Sequence, residues 1–360
     1  MNNTLSYDKE ELPKLSIIIA AHNEELIIRK KLDSIFSSDY PKNNIEIHIG
    51  TDCCNDSTDE IISSFKVEHP EIKHVVFKER SGKIRIVNQL VQNTKNEILI
   101  LTDANVLFTK DTLFQLVKHF KNKEIGLVDS HMKHYGTSQT GISLPEQSYI
   151  SLEVKLKDAE GKQFGSMMGP FGGCFAMRKS LFSEVPTNYL VDDFHISMNV
   201  LRKSAQCIHE NRAVVFEDVS NHLGTEFKRK VRISTGNFQN LAHFKSMLFG
   251  VNKVAFVFIS HKVLRWLSPF FLLGALITAF CFQAHSSLNI FILVGFGLVI
   301  SLVLFDLLLM RVELHLRLLR YLTHFTSMNL ALFVGFFKYL KGSSDGIWNR
   351  TDRLQNDSPQ

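Results

Sequence analysis

The stretch "EILILTDANV", Glu97 to Val106, is a short aliphatic run that ends abruptly in an acid, a small residue and an amide. Runs of this kind, bounded by turn formers, read as buried strands. A carboxylate at the end of a buried strand is costly unless something there uses it. The same form recurs upstream, where "LSIIIAA" runs into "HNEE", "IEIHIG" into "TDCCNDSTDE" and "KHVVF" into "KERSGK". Between these strands, "NEELIIRKKLDSIFSS", "STDEIISSF", "GKIRIVNQLVQ" and "DTLFQLVKHF" carry apolar residues at helical spacing. Strand alternating with helix from Lys14 to about Glu217 predicts an α/β domain with a mostly parallel sheet covered on both faces. Ligands of such sheets sit beyond the C-terminal ends of the strands, so the acids there are candidates for one shared site. No internal repeat or low-complexity tract interrupts the pattern.

The 360 residues carry a net charge of +5, too little to imply a nucleic-acid partner. The 29 phenylalanines crowd toward the C-terminus, which is unusual for a soluble enzyme. Five cysteines without CxxC spacing predict reduced thiols on a cytosolic face. The opening "MNNTLSYDKEELPK" has no apolar core and predicts a cytosolic start without a secretory signal. After residue 225 the chain changes character. "EFKRKVRISTGNFQNLAHFKSMLFG" predicts a basic amphipathic helix on a membrane surface. Trp266–Ala284 and Asn289–Met310 are each about long enough to cross a bilayer core of roughly 30 Å. Asp306 falls near the end of the second, where a charge reaches the interface. A third stretch, Tyr321–Leu340, is apolar but broken by Thr323, His324, Thr326, Ser327 and Asn329; it is compatible with a full span, a re-entrant loop or a surface helix. The basic flanks "HKVLR" and "RVELHLRLLR", against an uncharged "AHSSL", place those flanks in the cytosol with the N-terminal domain. The expected division is a tail over 1–13, a catalytic domain over 14–225, an interfacial segment over 226–265, membrane helices within 266–340 and a tail over 341–360.

The polar clusters differ in what they imply. "AAHNEE" lacks the glycines that let a backbone approach a dinucleotide, which counts against a dehydrogenase. His22, Asn23 and Glu24 offer side-chain hydrogen bonds instead, and Asn23 also suits an N-cap. In "TDCCNDSTDE", Asp56, Ser57 and Asp59 suit a helix start, whereas Asp52 comes too early for capping and is the better ligand candidate. Arg80 and Lys83 flank Gly82 just before a helix, an arrangement that suits phosphate. Asp103, two residues before the oxygen donor Asn105, can hold a hard cation against a diphosphate. Asp192 and Asp193 suit a helix first turn, and equally supply the general base that a diphosphate site lacks.

In this order "AHNEE", "TDCCNDSTD", "RSGK", "TDAN", "GPFGGCFAMRK", "VDDF" and "RKVRISTGNFQ" resemble the signature series of glycosyltransferase family 2, in its membrane-associated, processive-type branch. That branch includes cellulose and hyaluronan synthases, which are longer. The resemblance covers about Leu15 to Arg353. It implies a GT-A catalytic domain followed by an interfacial helix and transmembrane helices. Glu24 and Asp52 would contact the nucleoside, a uridine; Arg80 and Lys83 would neutralise the diphosphate. Asp103 would bind Mg2+ or Mn2+ as the first acid of the family's Asp-x-Asp. Asn105 stands where the second acid is usual, which implies a weaker metal site. Asp193 matches the catalytic base, the last acid of a Thr-Glu-Asp motif that reads Val191-Asp192-Asp193 here. Gly172 and Gly173 of "FGGCFA" would border the acceptor. Arg229 and Arg232 stand where the Gln and Arg of a Gln-x-x-Arg-Trp motif would be, with no tryptophan. "WNRTDR", from Trp348, is similar to a gating segment that would return to the site from the cytosol.

The resemblance thus implies inverting, metal-dependent transfer from a cytosolic UDP-sugar to a glycan or lipid-linked acceptor at the membrane. A polyprenyl phosphate is the alternative acceptor, and so few membrane helices favour one or few transfers. A non-catalytic scaffold or transport subunit with a degenerate domain is the other class, favoured only by Asn105.

Overall fold

The computed structural model describes residues 7, 11–135, 143–218, 223–282, 286–312, 314 and 316–342. Its first half runs β1 (Leu15–Ala21), α1 (Ile28–Phe36), β2 (Ile45–Asp52), α2 (Thr58–Glu68), β3 (Ile72–Phe77), α3 (Lys83–Gln92), β4 (Ile98–Asp103), β5 (Leu107–Phe108), α4 (Thr112–Val117) and β6 (Ile125–Tyr135). There follow α5 (Ser143–Phe164), β7 (Cys174–Arg178), α6 (Asp192–Arg202), β8 (Gln206–Asp218), α7 (Leu223–His243), α8 (Lys253–Val257), α9 (Leu264–Cys281), α10 (Ser287–Arg311) and α11 (Arg317–Leu340).

The strands form one sheet in the order β3-β2-β1-β4-β7-β6-β8-β5. β1 is buried at every residue because both faces are covered. Ile17 and Ile19 pack with Ile28, Leu32 and Ile35 of α1 and with Leu113 and Leu116 of α4. Ile18 and Ala20 point the other way, into a core shared with Ile86 and Leu90 of α3 and Phe194 of α6. At roughly 1.5–3 kcal/mol for each large aliphatic side chain buried, this two-sided burial is the main source of sheet stability.

The half from β3 to β4 is all parallel, as expected. The second half is mixed: β7 runs antiparallel to β4 and β6, β8 pairs in parallel with β6, and β5 runs antiparallel to β8. The reason lies where the chain enters β7. Gly173 accepts from the Asp103 amide at 2.9 Å, so β7 starts at the C-terminal end of β4 and must run back down it.

α1 begins at Ile28, and Asn23 does not cap it. Asn23 adopts a left-handed conformation (φ 55) and accepts the Asn55 amide at 3.0 Å. The amides of Glu24 and Glu25 donate to Thr58 Oγ1 and Asp56 Oδ2 across the neighbouring turn. The "AHNEE" stretch is thereby a bracket between the ends of β1 and β2.

The basic helix α7 is held on two sides by protein. Ser234, Thr235 and Asn240 are buried. Ser234 Oγ and Thr235 Oγ1 donate to the carbonyls of Leu332 and Gly335 on α11, each at 3.2 Å. A Cβ on Gly335 would lie 2.4 Å from Ser234 Oγ and 3.0 Å from the Thr235 amide. Gly335→Ala is therefore expected to destabilise the protein by about 1–3 kcal/mol, the usual cost of overpacking. Denaturant unfolding in detergent measures it, and an unchanged midpoint would mean that α7 and α11 are not in this contact.

Among the described residues two helices are long and apolar enough to cross a membrane, Lys253–Cys281 and Ser287–Arg311. The first starts well before Trp266 and contains a π-helical stretch at Phe258–Val263. Trp266 is buried and meets Phe194 of α6 edge-on at 5.3 Å, which fastens this helix to the α/β core. Asp306 does not reach outward as expected. It is fully buried, with its Oδ2 3.2 Å from Arg320 Nη1 and accepting from Thr323 Oγ1 at 2.6 Å. A buried carboxylate is tolerated where it is paired and hydrogen-bonded, and both partners come from α11. Another polar residue of α11, Asn329, accepts from Ser268 Oγ of α9 at 2.7 Å. Two of the polar interruptions in this stretch, Thr323 and Asn329, thus serve helix–helix contacts within one continuous helix. Trp348 and the rest of "WNRTDR" lie outside the described residues.

Candidate active site

The parallel pairing sets the ends of β1, β2 and β4 level, with Ala20 opposite Asp103 and Ala21 opposite Thr51. Asp52 and Asp103 therefore emerge on one edge of the sheet. They serve different ends. The Asp52 carboxylate is fully buried and accepts the amides of Ser81 at 2.6 Å and Gly82 at 3.1 Å, with Arg80 Nη1 3.1 Å from Oδ2. Arg80 Nη1 also donates to the Asp52 carbonyl at 3.2 Å. Asp52 is thus a clasp on the Arg80–Gly82 turn, and contact with a nucleoside requires that turn to open. Gly82 needs no Cβ there, since its φ is 79. Glu24 sits partly exposed at the mouth of the same bracket.

Lys83, the first residue of α3, bridges the acid at the end of β4 and the acid that opens α6. Its Nζ lies 2.8 Å from Asp103 Oδ1 and 3.5 Å from Asp192 Oδ2. Burial works against the ammonium, but Asp103 and Asp192 hold its pKa above the ordinary lysine value. Asp193 lies beside this pair in the first turn of α6, with Oδ1 accepting the Phe194 amide at 2.7 Å. Burial, then the neighbouring charge of Asp192, pushes the Asp193 carboxyl up to about 7, against the opposing pull of Lys83.

The glycines explain why these groups can meet. A Cβ on Gly172, whose φ is 84, would lie 2.5 Å from Asp193 Oδ2. A Cβ on Gly173 would lie 2.2 Å from Met132 Cε and 3.0 Å from Val106 Cγ2. The loop before β7 consequently lies directly against Asp193. On the other side, α7 grips the irregular segment leading into α6. Gln239 Oε1 accepts the Leu190 amide, Asn240 Nδ2 donates to the Val191 carbonyl and Arg232 Nη1 donates to the Leu190 carbonyl, each at 3.0 Å. The charges of Asp192, Asp193 and Asp103 reach Arg232. Arg229 stays a turn away, in a bidentate pair with Glu226 at 2.9 Å.

Asn105 is buried and donates through Nδ2 to Glu217 Oε1 at 3.1 Å. That bond leaves its carbonyl oxygen as the atom for a hard cation. Among the described residues no cluster of three or more His, Cys, Asp or Glu forms a ready-made metal cage. The donor set fits a different mode, in which one or two oxygens from the protein share a cation with substrate phosphates. Asp103, with its side chain 30% exposed, is open to that use.

Residues 16–185 match the sequence profile described as glycosyl transferase family 2. This segment is a glycosyl transferase family 2 domain. The chain is 24% identical over 239 residues to a poly-β-1,6-N-acetyl-D-glucosamine synthase of Staphylococcus epidermidis, covering 65% of this chain and 57% of that protein. It is 24% identical over 261 residues to the probable glycosyltransferase YdaM of Bacillus subtilis, covering 69% and 61%. It is 31% identical over 153 residues to a β-monoglucosyldiacylglycerol synthase of Trichormus variabilis, covering 41% and 33%. The chain thus spans less than two thirds of the length of each of these curated relatives. In overall structure it is similar to a mannosyltransferase of Pyrobaculum calidifontis solved with GDP-Man and Mn2+, with a TM-score of 0.71, 22% identity, and 94% and 90% of the two chains covered. That likeness establishes the GT-A-like fold, including the helices that follow the sheet.

Two features of this family 2 domain escaped the reading of its sequence. Lys31 is fully buried under the Asp103 turn, where Nζ donates to Thr102 Oγ1 at 2.9 Å and to the Val106 carbonyl at 2.5 Å, 3.7 Å from the Phe108 ring centroid. Burial pulls its pKa down to about 7. The signal was present, because Lys31 shares the apolar face of α1 with Ile28, Leu32 and Ile35. Glu217, which orients Asn105, comes from the end of β8, 112 residues on, and nothing local announces it.

Proposed function

We propose that the chain transfers a sugar, with inversion, from a UDP-sugar to a glycan or lipid-linked acceptor at the cytosolic face of a membrane. The carrying observation is the placement of Asp193, a partly buried carboxyl with a raised pKa, between the Lys83–Asp103–Asp192 cluster and the Gly172 loop. A general base works best with a pKa near the operating pH. Asp193 takes the proton from the acceptor hydroxyl as it attacks the anomeric carbon. Lys83, preset by Asp103 and Asp192, receives the diphosphate, and Arg80 adds a second cation from the turn held by Asp52. Asp103 and Asn105 hold Mg2+ or Mn2+, which supplies charge neutralisation of the leaving diphosphate. The Gly172–Gly173 loop borders the acceptor, and Arg232 keeps the approach to Asp192 in register. Helices 253–281 and 287–311 span the bilayer, and α7 lies where the domain meets it.

The relatives' names support sugar polymers and glycolipids as product classes, and the mannosyltransferase keeps a GDP-linked donor in view. The test is nucleoside-diphosphate release from UDP-glucose, UDP-N-acetylglucosamine and GDP-mannose, with Mn2+ present. Release from a UDP-linked donor is expected. Release from GDP-mannose alone overturns the uridine assignment, and release from none leaves the scaffold reading in its place.

A further inference from the structure

The loop from Met167 to Gly173 carries no charged side chain, yet two buried carboxylates grip its backbone. Glu160 Oε2 accepts the Met168 amide at 3.3 Å, and Asp129 Oδ1 accepts the Phe171 amide at 3.2 Å. Both acids are themselves anchored. Asp129 Oδ2 lies 3.4 Å from Lys157 Nζ and 3.3 Å from His209 Nδ1. Lys157 Nζ also sits 3.5 Å from the centre of the Phe171 ring. Glu160 Oε1 is 2.5 Å from His261 Nδ1, and His261 Nε2 is 3.1 Å from Glu153 Oε2. Glu153 further binds Lys262 at 2.7 Å and Arg265 at 2.8 Å. Every one of these ionisable groups except Arg265 is buried.

His261 and Lys262 belong to the π-helical stretch inside the first membrane-length helix, just after its opening turn at Lys253–Val257. A π-helical insertion is rare and tends to mark a functional position. Here it coincides with two consecutive side chains that reach α5. A stability role alone is a weak explanation, because buried ion pairs often do no better than apolar packing. What they do supply is fixed geometry, and the part fixed is the loop whose Gly172 touches Asp193.

We propose that Glu160 and Asp129 are positioning residues for the 167–173 loop, and that Glu160 ties the loop, through His261, to the helix that enters the membrane. The proposal rests on the proposed function in making this loop the acceptor wall and in having the helix 253–281 enter the bilayer. The geometry links the depth and tilt of the first apolar helix to the seat of the acceptor beside the base.

The test uses the full chain in lipid nanodiscs and two readouts. In Glu160→Ala, amide exchange over residues 167–173 should speed up about tenfold, the scale expected for losing a hydrogen bond to a charged group. Exchange over 80–83 and 103–106 should not change. Nucleoside-diphosphate release should fall about tenfold, with UDP affinity within about twofold of the parent, since only positioning against the base is lost. Glu160→Gln keeps an acceptor for Met168 and should restore most of both. If Glu160→Ala does not fold, His261→Gln is read in the same way, with exchange over 167–173 expected to rise. Unchanged exchange in the folded variant overturns the proposal, whatever the turnover. Faster exchange in Glu160→Ala, beside a wild type that turns over no donor, would instead remove the transferase reading and keep the tether.

Discussion

Asp193→Asn is expected to cut turnover about 100-fold or more, the scale of losing a general base, while UDP affinity stays near the parent value. The ion pairs of Lys83 are with Asp103 and Asp192, so the donor side keeps its groups when Asp193 is replaced. Burial and the adjacent Asp192 push its carboxyl up to about 7, and only the ionised form can take a proton. The parent's rate should therefore climb with pH through about 7 and level off above it, whereas the residual rate of the variant should not follow that profile. The same shift acts on stability with a definite sign. Asp193 binds protons more tightly folded than at its ordinary value of 3.8, so stability falls as pH rises from there through about 7. Asp193→Asn removes that loss. The variant should melt above the parent at pH 8 and level with it at pH 4. UDP release, UDP calorimetry and thermal unfolding across pH read all three effects. Near-normal turnover in the variant would take the base role away from Asp193.

How much of this was legible beforehand depends on how far each determinant lies along the chain. β1 and β4 announce themselves because a strand buried on both faces must be apolar throughout, and Ile17, Ile18 and Ile19 satisfy that locally. The acids at strand ends stand out for the same reason, as charges where the run stops. What Asp52 does is another matter. Its partners Ser81 and Gly82 arrive from a turn 29 and 30 residues later, so its enclosure follows from the tertiary arrangement. Asp306 is similar: its depth near a helix end suggested water, but Arg320 and Thr323 fold back from α11 to meet it. The polar face of α7 suggested solvent or lipid headgroups, yet Gln239 and Asn240 are spent on the backbone before α6. In each case the residue type was informative and the identity of its partner was not.

The second large effect concerns Asp103. Asp103→Ala is expected to abolish the metal-dependent part of UDP binding, because no other described carboxylate combines partial exposure with a place opposite Lys83 at the end of β4. Asn105→Asp should act in the opposite direction and tighten binding in Mn2+, since an added carboxylate suits a hard cation. Glu217 makes that second result conditional in an instructive way. It accepts from the Asn105 amide, and an aspartate there could not donate to it. Without metal, two carboxylates would face each other in a partly buried position, which costs stability. With metal bound, the repulsion becomes a reason to hold the cation. Asn105→Asp should thus melt below the parent in chelator and recover on adding Mn2+ by more degrees than the parent does. Double replacement with Glu217→Gln should remove the deficit in chelator while keeping the tighter binding. Calorimetry of UDP with and without Mn2+ reads the affinity, and thermal unfolding in the same buffers reads the coupling. Equal UDP binding by Asp103→Ala in both buffers would place the metal elsewhere, and an Asn105→Asp protein indifferent to Mn2+ would exclude that position from the coordination sphere.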